Sequence, residues 1–141
     1  MTAIKNILFP TDFSENSRNA LDFALETALK SGATLHIMHS IEEPYDFAPM
    51  IEEVKNSLTQ RVKKLFDTMV SEIREDEKYE EITIKTYMQT GRALYTILEE
   101  IRSRDIDLIV MGAKGRTGLE KIFLGSTTAE IVQRSSVPVM A

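Results

Sequence analysis

Four consecutive apolar residues, Leu108-Ile109-Val110-Met111, run without one polar interruption, so the strand they form has no face suited to water. A strand apolar on both faces belongs inside a sheet that is covered on both sides, which means a parallel sheet flanked by helices. The chain must therefore supply crossover helices, and it must supply them between strands.

It does so in strict alternation. Ile4 to Phe9 is short, β-branched and stopped by Pro10, which reads as a first strand. Pro10-Thr11-Asp12-Phe13-Ser14-Glu15 is a turn into a helix, capped either by Asp12 with Glu15 or by Ser14 alone. Ala20, Leu21, Ala24, Leu25 and Ala28 form an apolar stripe of helical period, closed by Ser31-Gly32. Ala33 to Ile41 is a second strand, followed by a loop from Glu42 to Pro49. From Met50 to about Glu77, the residues Ile51, Val54, Leu58, Val62, Leu65, Met69 and Ile73 mark a long amphipathic helix. Ile82 to Tyr87 alternates, as an edge strand with one wet face would. Gly91 precedes a third helix with Ala93, Leu94, Ile97, Leu98 and Ile101 inward. Ile106 to Met111 is the fourth strand, Thr128 to Arg134 the last helix, and Val137 to Ala141 a fifth strand whose Pro138 suits an edge. The expected fold is α/β: one open five-stranded parallel sheet, strand order 3-2-1-4-5, helices on both faces, Rossmann-like, as a single domain over residues 1–141.

Between the fourth strand and the last helix lie Gly112, Gly115, Gly118 and Gly125, four of the chain's six glycines. Glycine costs folding entropy, so such a cluster needs a geometric reason: a positive φ or a close approach to the backbone. Strand, glycine turn and helix N-terminus together aim backbone N–H groups and a positive dipole end at one spot, which favours an anion, most often phosphate. The spacing matches neither the Walker pattern nor the dinucleotide fingerprint. Ser126 or Thr127 is available as the helix N-cap. If the first and fourth strands are neighbours, the Pro10-Thr11-Asp12 turn opens into the same crevice as Gly112, at the point where the winding direction reverses.

A net charge of −5 argues against general nucleic-acid or anionic-membrane binding, and the absence of cysteine excludes disulfides and thiolate metal sites. The start lacks the apolar run of a signal peptide and no stretch approaches a membrane span, so a cytoplasmic protein is expected.

Gly112-x2-Gly115-x9-Gly125-Ser126 after a strand ending in Val-Met-Gly resembles the nucleotide-binding signature of the universal stress protein family. The resemblance covers nearly the whole chain, with Pro10-Thr11-Asp12-Phe13-Ser14 after strand one and His39-Ser40-Ile41 at the end of strand two. It implies that Gly112, Gly115, Gly125, Ser126 and Thr127 hold the triphosphate of ATP, beside Met111. It also implies that Asp12, flanked by Pro10 and Thr11, contacts the ribose or lies near Mg²⁺, and that Ser40 meets adenine through its backbone. A homodimer is implied as well, with the fifth strand (Val137, Val139, Met140) pairing antiparallel across a twofold axis and covering an open edge.

Other residues read more plainly. Lys114 and Arg116 would offset phosphate charge or simply be solvated, and Gly118 gives loop flexibility. His36 and His39 have no metal spacing and fill core-edge space, while Met38, Met69 and Met111 fit core packing. The pairs Glu42-Glu43, Glu52-Glu53 and Glu99-Glu100 read as wet faces. No Ser/His/Asp set stands out and no general base sits beside the glycine loop, so turnover is expected to be slow at most. Two functions remain open: an ATP-binding stress-response regulator, and a dimeric interaction module with a structural glycine loop.

Overall fold

The computed structural model describes residues 3–42, 52–112 and 126–141. Strands β1 (Asn6–Pro10), β2 (Thr34–Ile41), β3 (Ile84–Thr90), β4 (Leu108–Val110) and β5 (Val139–Met140) alternate with helices α1 (Glu15–Ser31), α2 (Glu52–Arg74), α3 (Ala93–Ser103) and α4 (Ser126–Arg134). The sheet is five-stranded in the order β3-β2-β1-β4-β5, and every pairing is parallel. The expected α/β architecture and strand order are therefore present.

Two cores sit on opposite faces of this sheet, because successive strand residues point to opposite sides. Ile7 and Phe9 of β1 face α1 and α2, meeting Leu21, Leu25, Val62 and Phe66. Leu8 faces α3 and α4, meeting Ile97, Ile109 and Ile131. Burying each such side chain contributes roughly 1.5–3 kcal/mol. The same logic makes β4 apolar throughout, since Leu108 and Val110 enter one core and Ile109 the other.

Four details depart from the sequence reading. Pro10 is the last residue of β1, opposite Met38, and does not merely stop it. It is tolerated there because β4 pairs only with Ile7 and Leu8, leaving no ladder partner for the missing N–H. On α2 the buried positions are Val62, Phe66, Met69 and Ile73, whereas Leu65 is 40% exposed. A stripe of spacing four, three, four places Phe66 on the core side and turns Leu65 outward. Glu100 is buried, not wet: it accepts from Gln89 Nε2 at 2.6 Å and pairs with Arg104. Finally, α4 already includes Ser126 and Thr127 as helical residues, so its N-cap position lies outside the described residues.

Helix α1, which opens beside the site, is capped at both ends. Ser14 caps α1, its hydroxyl accepting from Ser17 N, while Asp12 accepts from Ser14 N at 2.9 Å in the preceding turn. The choice left open by the sequence thus falls to Ser14, with Asp12 shaping the approach. Gly32 closes α1 at φ 73°, where a side chain would be strained.

Candidate functional site

At the carboxyl ends of β1, β2 and β4 the chain leaves a cavity of about 510 Å³. This is the reversal point of the sheet, since β1 is followed on one side by β2 and on the other by β4. Its volume suits a small organic ligand. Pro10, Thr11, Asp12, Ser40, Met111, Gly112, Ser126 and Thr127 all line it. Eight predicted site residues, drawn from four separate segments, are thus brought together. Gly115 and Gly125 lie outside the described residues, as do Lys114, Arg116, Gly118 and Glu43.

The turn after β1 is held in a costly conformation. Phe13 has φ 63°, left-handed for a large side chain, with its N–H bonded to Thr11 Oγ1 at 2.9 Å. Its ring packs against His39 at 4.9 Å and edge-on to Phe66 at 5.3 Å. That anchoring turns Thr11 and Asp12 toward the crevice. Thr11 is buried, and its hydroxyl accepts from Phe13 N and from Ser17 Oγ at 2.6 Å. Both lone pairs are then engaged, which leaves the Thr11 proton for a group in the cavity.

Gly112 meets a requirement the sequence reading assigned to phosphate. A Cβ placed on it would lie 3.0 Å from the Asn16 carbonyl oxygen and 3.2 Å from Ser17 Cα. The first turn of α1 presses directly on the end of β4, and only glycine leaves room. Thr128, which the sequence reading passed over, donates from its hydroxyl to Gly112 O at 2.9 Å and is itself buried. The first turn of α4, whose N–H groups have no partner within the helix, is thereby fixed beside the cavity. Ser17 was also missed; its only sequence signal is that a small polar residue stands one turn before the apolar stripe of α1, on the same face.

The two histidines divide. His36 is buried and bonded at both ring nitrogens, Nε2 to Asn6 Oδ1 at 2.9 Å and Nδ1 to Tyr87 Oη at 3.1 Å. Burial, with Lys85 and Arg104 nearby, holds its pKa below the ordinary value of 6.5. It is a core-edge residue, as expected. His39 instead lines the cavity and donates from Nδ1 to Thr11 O at 2.7 Å, fixing the β1 turn from the neighbouring strand. Glu42 also lines the cavity, and its carboxylate accepts from Ala93 N at 2.8 Å, so it is no idle surface charge. Among the described residues no cluster of three metal-ligating side chains occurs.

An open, parallel, doubly wound sheet with a polar crevice at its reversal point defines a Rossmann-like α/β protein. Residues 3–141 match the family model described as "Universal stress protein family". The chain belongs to that family. It is 27% identical to universal stress protein MJ0577 of Methanocaldococcus jannaschii, over 96% of this chain and 93% of that protein. Among solved structures it superimposes on universal stress protein UspA from Lactobacillus plantarum with a TM-score of 0.84 at 25% identity, covering 99% and 98% of the two chains. A further universal stress protein, solved in complex with cAMP, shares the fold with a TM-score of 0.64 at 23% identity, covering 99% and 96%. Among the described residues no helix is long and apolar enough to cross a membrane.

Proposed function

We propose that the crevice binds an adenine nucleotide, ATP with Mg²⁺, and that the protein is a cytoplasmic stress-response regulator switched by nucleotide occupancy. The observation that carries this reading is the convergence of the Thr11-Asp12 turn, Gly112 and the first turn of α4 on one cavity. The free proton of Thr11 and the N–H groups of α4 suit phosphate oxygens; Asp12 suits the ribose or the metal. Gly115 and Gly125 complete the phosphate loop in this proposal. A universal stress protein of this fold, solved in complex with cAMP, supports the reading. Slow hydrolysis at most belongs to this reading.

A thermal-shift titration with Mg·ATP tests it. At 100 times the dissociation constant, ligand adds about 2.7 kcal/mol, a melting shift of several degrees. An unchanged melting temperature across millimolar Mg·ATP overturns the proposal.

A second reading, a homodimeric interaction module, draws on β5. An apolar hollow of about 360 Å³ runs between α1 and this edge strand, lined by Ala20, Phe23 and Met140 among others. Val137 and Val139 pack against the α3–α4 core, leaving Met140 as the outward apolar group of the strand. The dimer joins the nucleotide proposal here, and it stands alone if Mg·ATP fails to bind.

A further inference from the structure

At the end of β2 the crevice carries three linked hydrogen-bonding groups, Ala93 O, Thr96 Oγ1 and Ser40 Oγ. Thr96 has one hydroxyl proton and donates it to the carbonyl oxygen of Ala93, at 3.1 Å. Thr96 is also hydrogen-bonded to Ser40, a pair in which either hydroxyl can donate; with the Thr96 proton on Ala93 O, Ser40 donates and Thr96 accepts. Ser40 Oγ is left with lone pairs only. Ser40 lines the cavity together with Leu58 and Val62 of α2 and Ala93 and Ile97 of α3. Beside it stands Glu42, whose carboxylate is an acceptor and carries negative charge.

Charge sets which way a nucleotide lies in this crevice. With the phosphates at the N-terminus of α4 and beside Asp12 and its Mg²⁺, as proposed above, and Glu42 repelling them from the other side, the base lies at the Ser40 part of the cavity. A planar base fits the apolar walls there, and its polar edge meets a rim of acceptors. We infer that the Ala93–Thr96–Ser40 relay selects bases that carry an exocyclic amine and rejects those with a carbonyl at the same position. This rests on the nucleotide reading above and adds the residue pair that discriminates between purines. Thr96 acts through Ser40 and is a positioning residue. An amine donates to Ser40 Oγ, whereas a 6-oxo group would set lone pairs against lone pairs and leave a buried acceptor unsatisfied.

Isothermal titration of the full chain with ATP and with ITP, which differ at the purine 6-position, tests the inference. The wild type should bind ATP at least about tenfold more tightly than ITP, the loss expected for one unmatched buried hydrogen bond. Thr96→Val keeps the shape but frees the Ser40 proton to rotate into the cavity, so the ratio should fall to about twofold or less. Thr96→Ser keeps the relay and should keep the discrimination, which guards against a fold defect in the valine variant. Equal and tight binding of ATP and ITP by the wild type overturns the inference while the nucleotide reading stands. A folded Thr96→Val protein with wild-type discrimination overturns it too. Failure of the wild type to bind either nucleotide overturns both.

Discussion

The hydroxyl of Thr128 donates to the carbonyl oxygen of Gly112 across 16 residues of sequence, at 2.9 Å. That bond ties the start of α4 to the end of β4 whatever path the intervening chain takes. It also satisfies a carbonyl at a strand end, where the ladder no longer supplies a partner.

Thr128→Val should therefore cost about 1–3 kcal/mol, since it leaves the half-buried Gly112 carbonyl without this partner. Urea denaturation gives the number. Nucleotide affinity should fall in parallel, because the first turn of α4 loses its anchor. A neutral substitution would mean that the carbonyl finds water.

Gly112→Ala probes the other side of the same residue. Its Cβ would meet backbone atoms of Asn16 and Ser17 at 3.0–3.2 Å, and backbone cannot rotate aside as a side-chain tip can. Overpacking of this kind costs about 1–3 kcal/mol. The loss should appear in the ligand-free protein. If Gly112 served phosphate alone, ligand-free stability would be untouched and only binding would suffer.

This double duty explains what was legible in the sequence. The unbroken apolar run of β4 and the helical stripe of α1 follow from periodicity, so strand order and the location of the crevice could be inferred. Gly112 could be flagged as a close-approach residue, but not what approaches it, because a glycine carries no record of its neighbour. Glu100 reads as a surface charge by composition; its burial depends on Gln89 and Arg104 arriving from β3 and the end of α3. Phe66 and Leu65 are adjacent and both apolar, and only the rotation of α2 about its axis decides which is buried. Thr128, Ser17 and Thr96 were invisible for a shared reason: a hydroxyl gains its role from a partner distant in sequence.

Asp12 can be dissected by two substitutions. Its Oδ1 accepts from Ser14 N, so Asp12→Asn keeps the turn while removing charge, and stability should stay within about 0.5 kcal/mol. Asp12→Ala loses the turn bond as well and should cost about 1 kcal/mol. If Asp12 holds Mg²⁺, the asparagine variant should bind ATP with the same affinity in magnesium as in EDTA. A retained magnesium dependence would remove Asp12 from the metal.

His36 makes stability pH-dependent with a definite sign. Asn6 Nδ2 donates to Asp105 O, so Asn6 Oδ1 faces the imidazole and Nε2 carries the proton, leaving Nδ1 to accept from Tyr87. Burial, then Lys85 and Arg104, depress the folded pKa, with Glu100 opposing them. The unfolded chain therefore binds the proton first, and the contribution is complete above the ordinary value of 6.5 and lost as pH falls from there through the folded pKa. Urea midpoints at about pH 7.5 and about pH 5.5 should differ more for the wild type than for His36→Gln, which cannot titrate. Equal differences would show that other groups dominate.

The free edge of β5 supplies the last test. Pro138 O and Met140 O accept from Ile109 N and Met111 N, so these residues turn their carbonyls toward β4. In a parallel ladder successive residues turn opposite ways, which points the N–H and C=O of Val139 outward to the open edge. Proline at an outward-facing edge position sacrifices no bond to β4. Val139→Pro should thus leave the urea midpoint close to wild type, apart from some packing lost against the α3–α4 core, while removing the one N–H that an antiparallel partner strand would need at its centre. Sedimentation equilibrium should show a dimer for the wild type and a monomer for the variant. A dimer that survives the proline uses another surface, and the apolar hollow between α1 and β5 would be the place to mutate next, at Phe23.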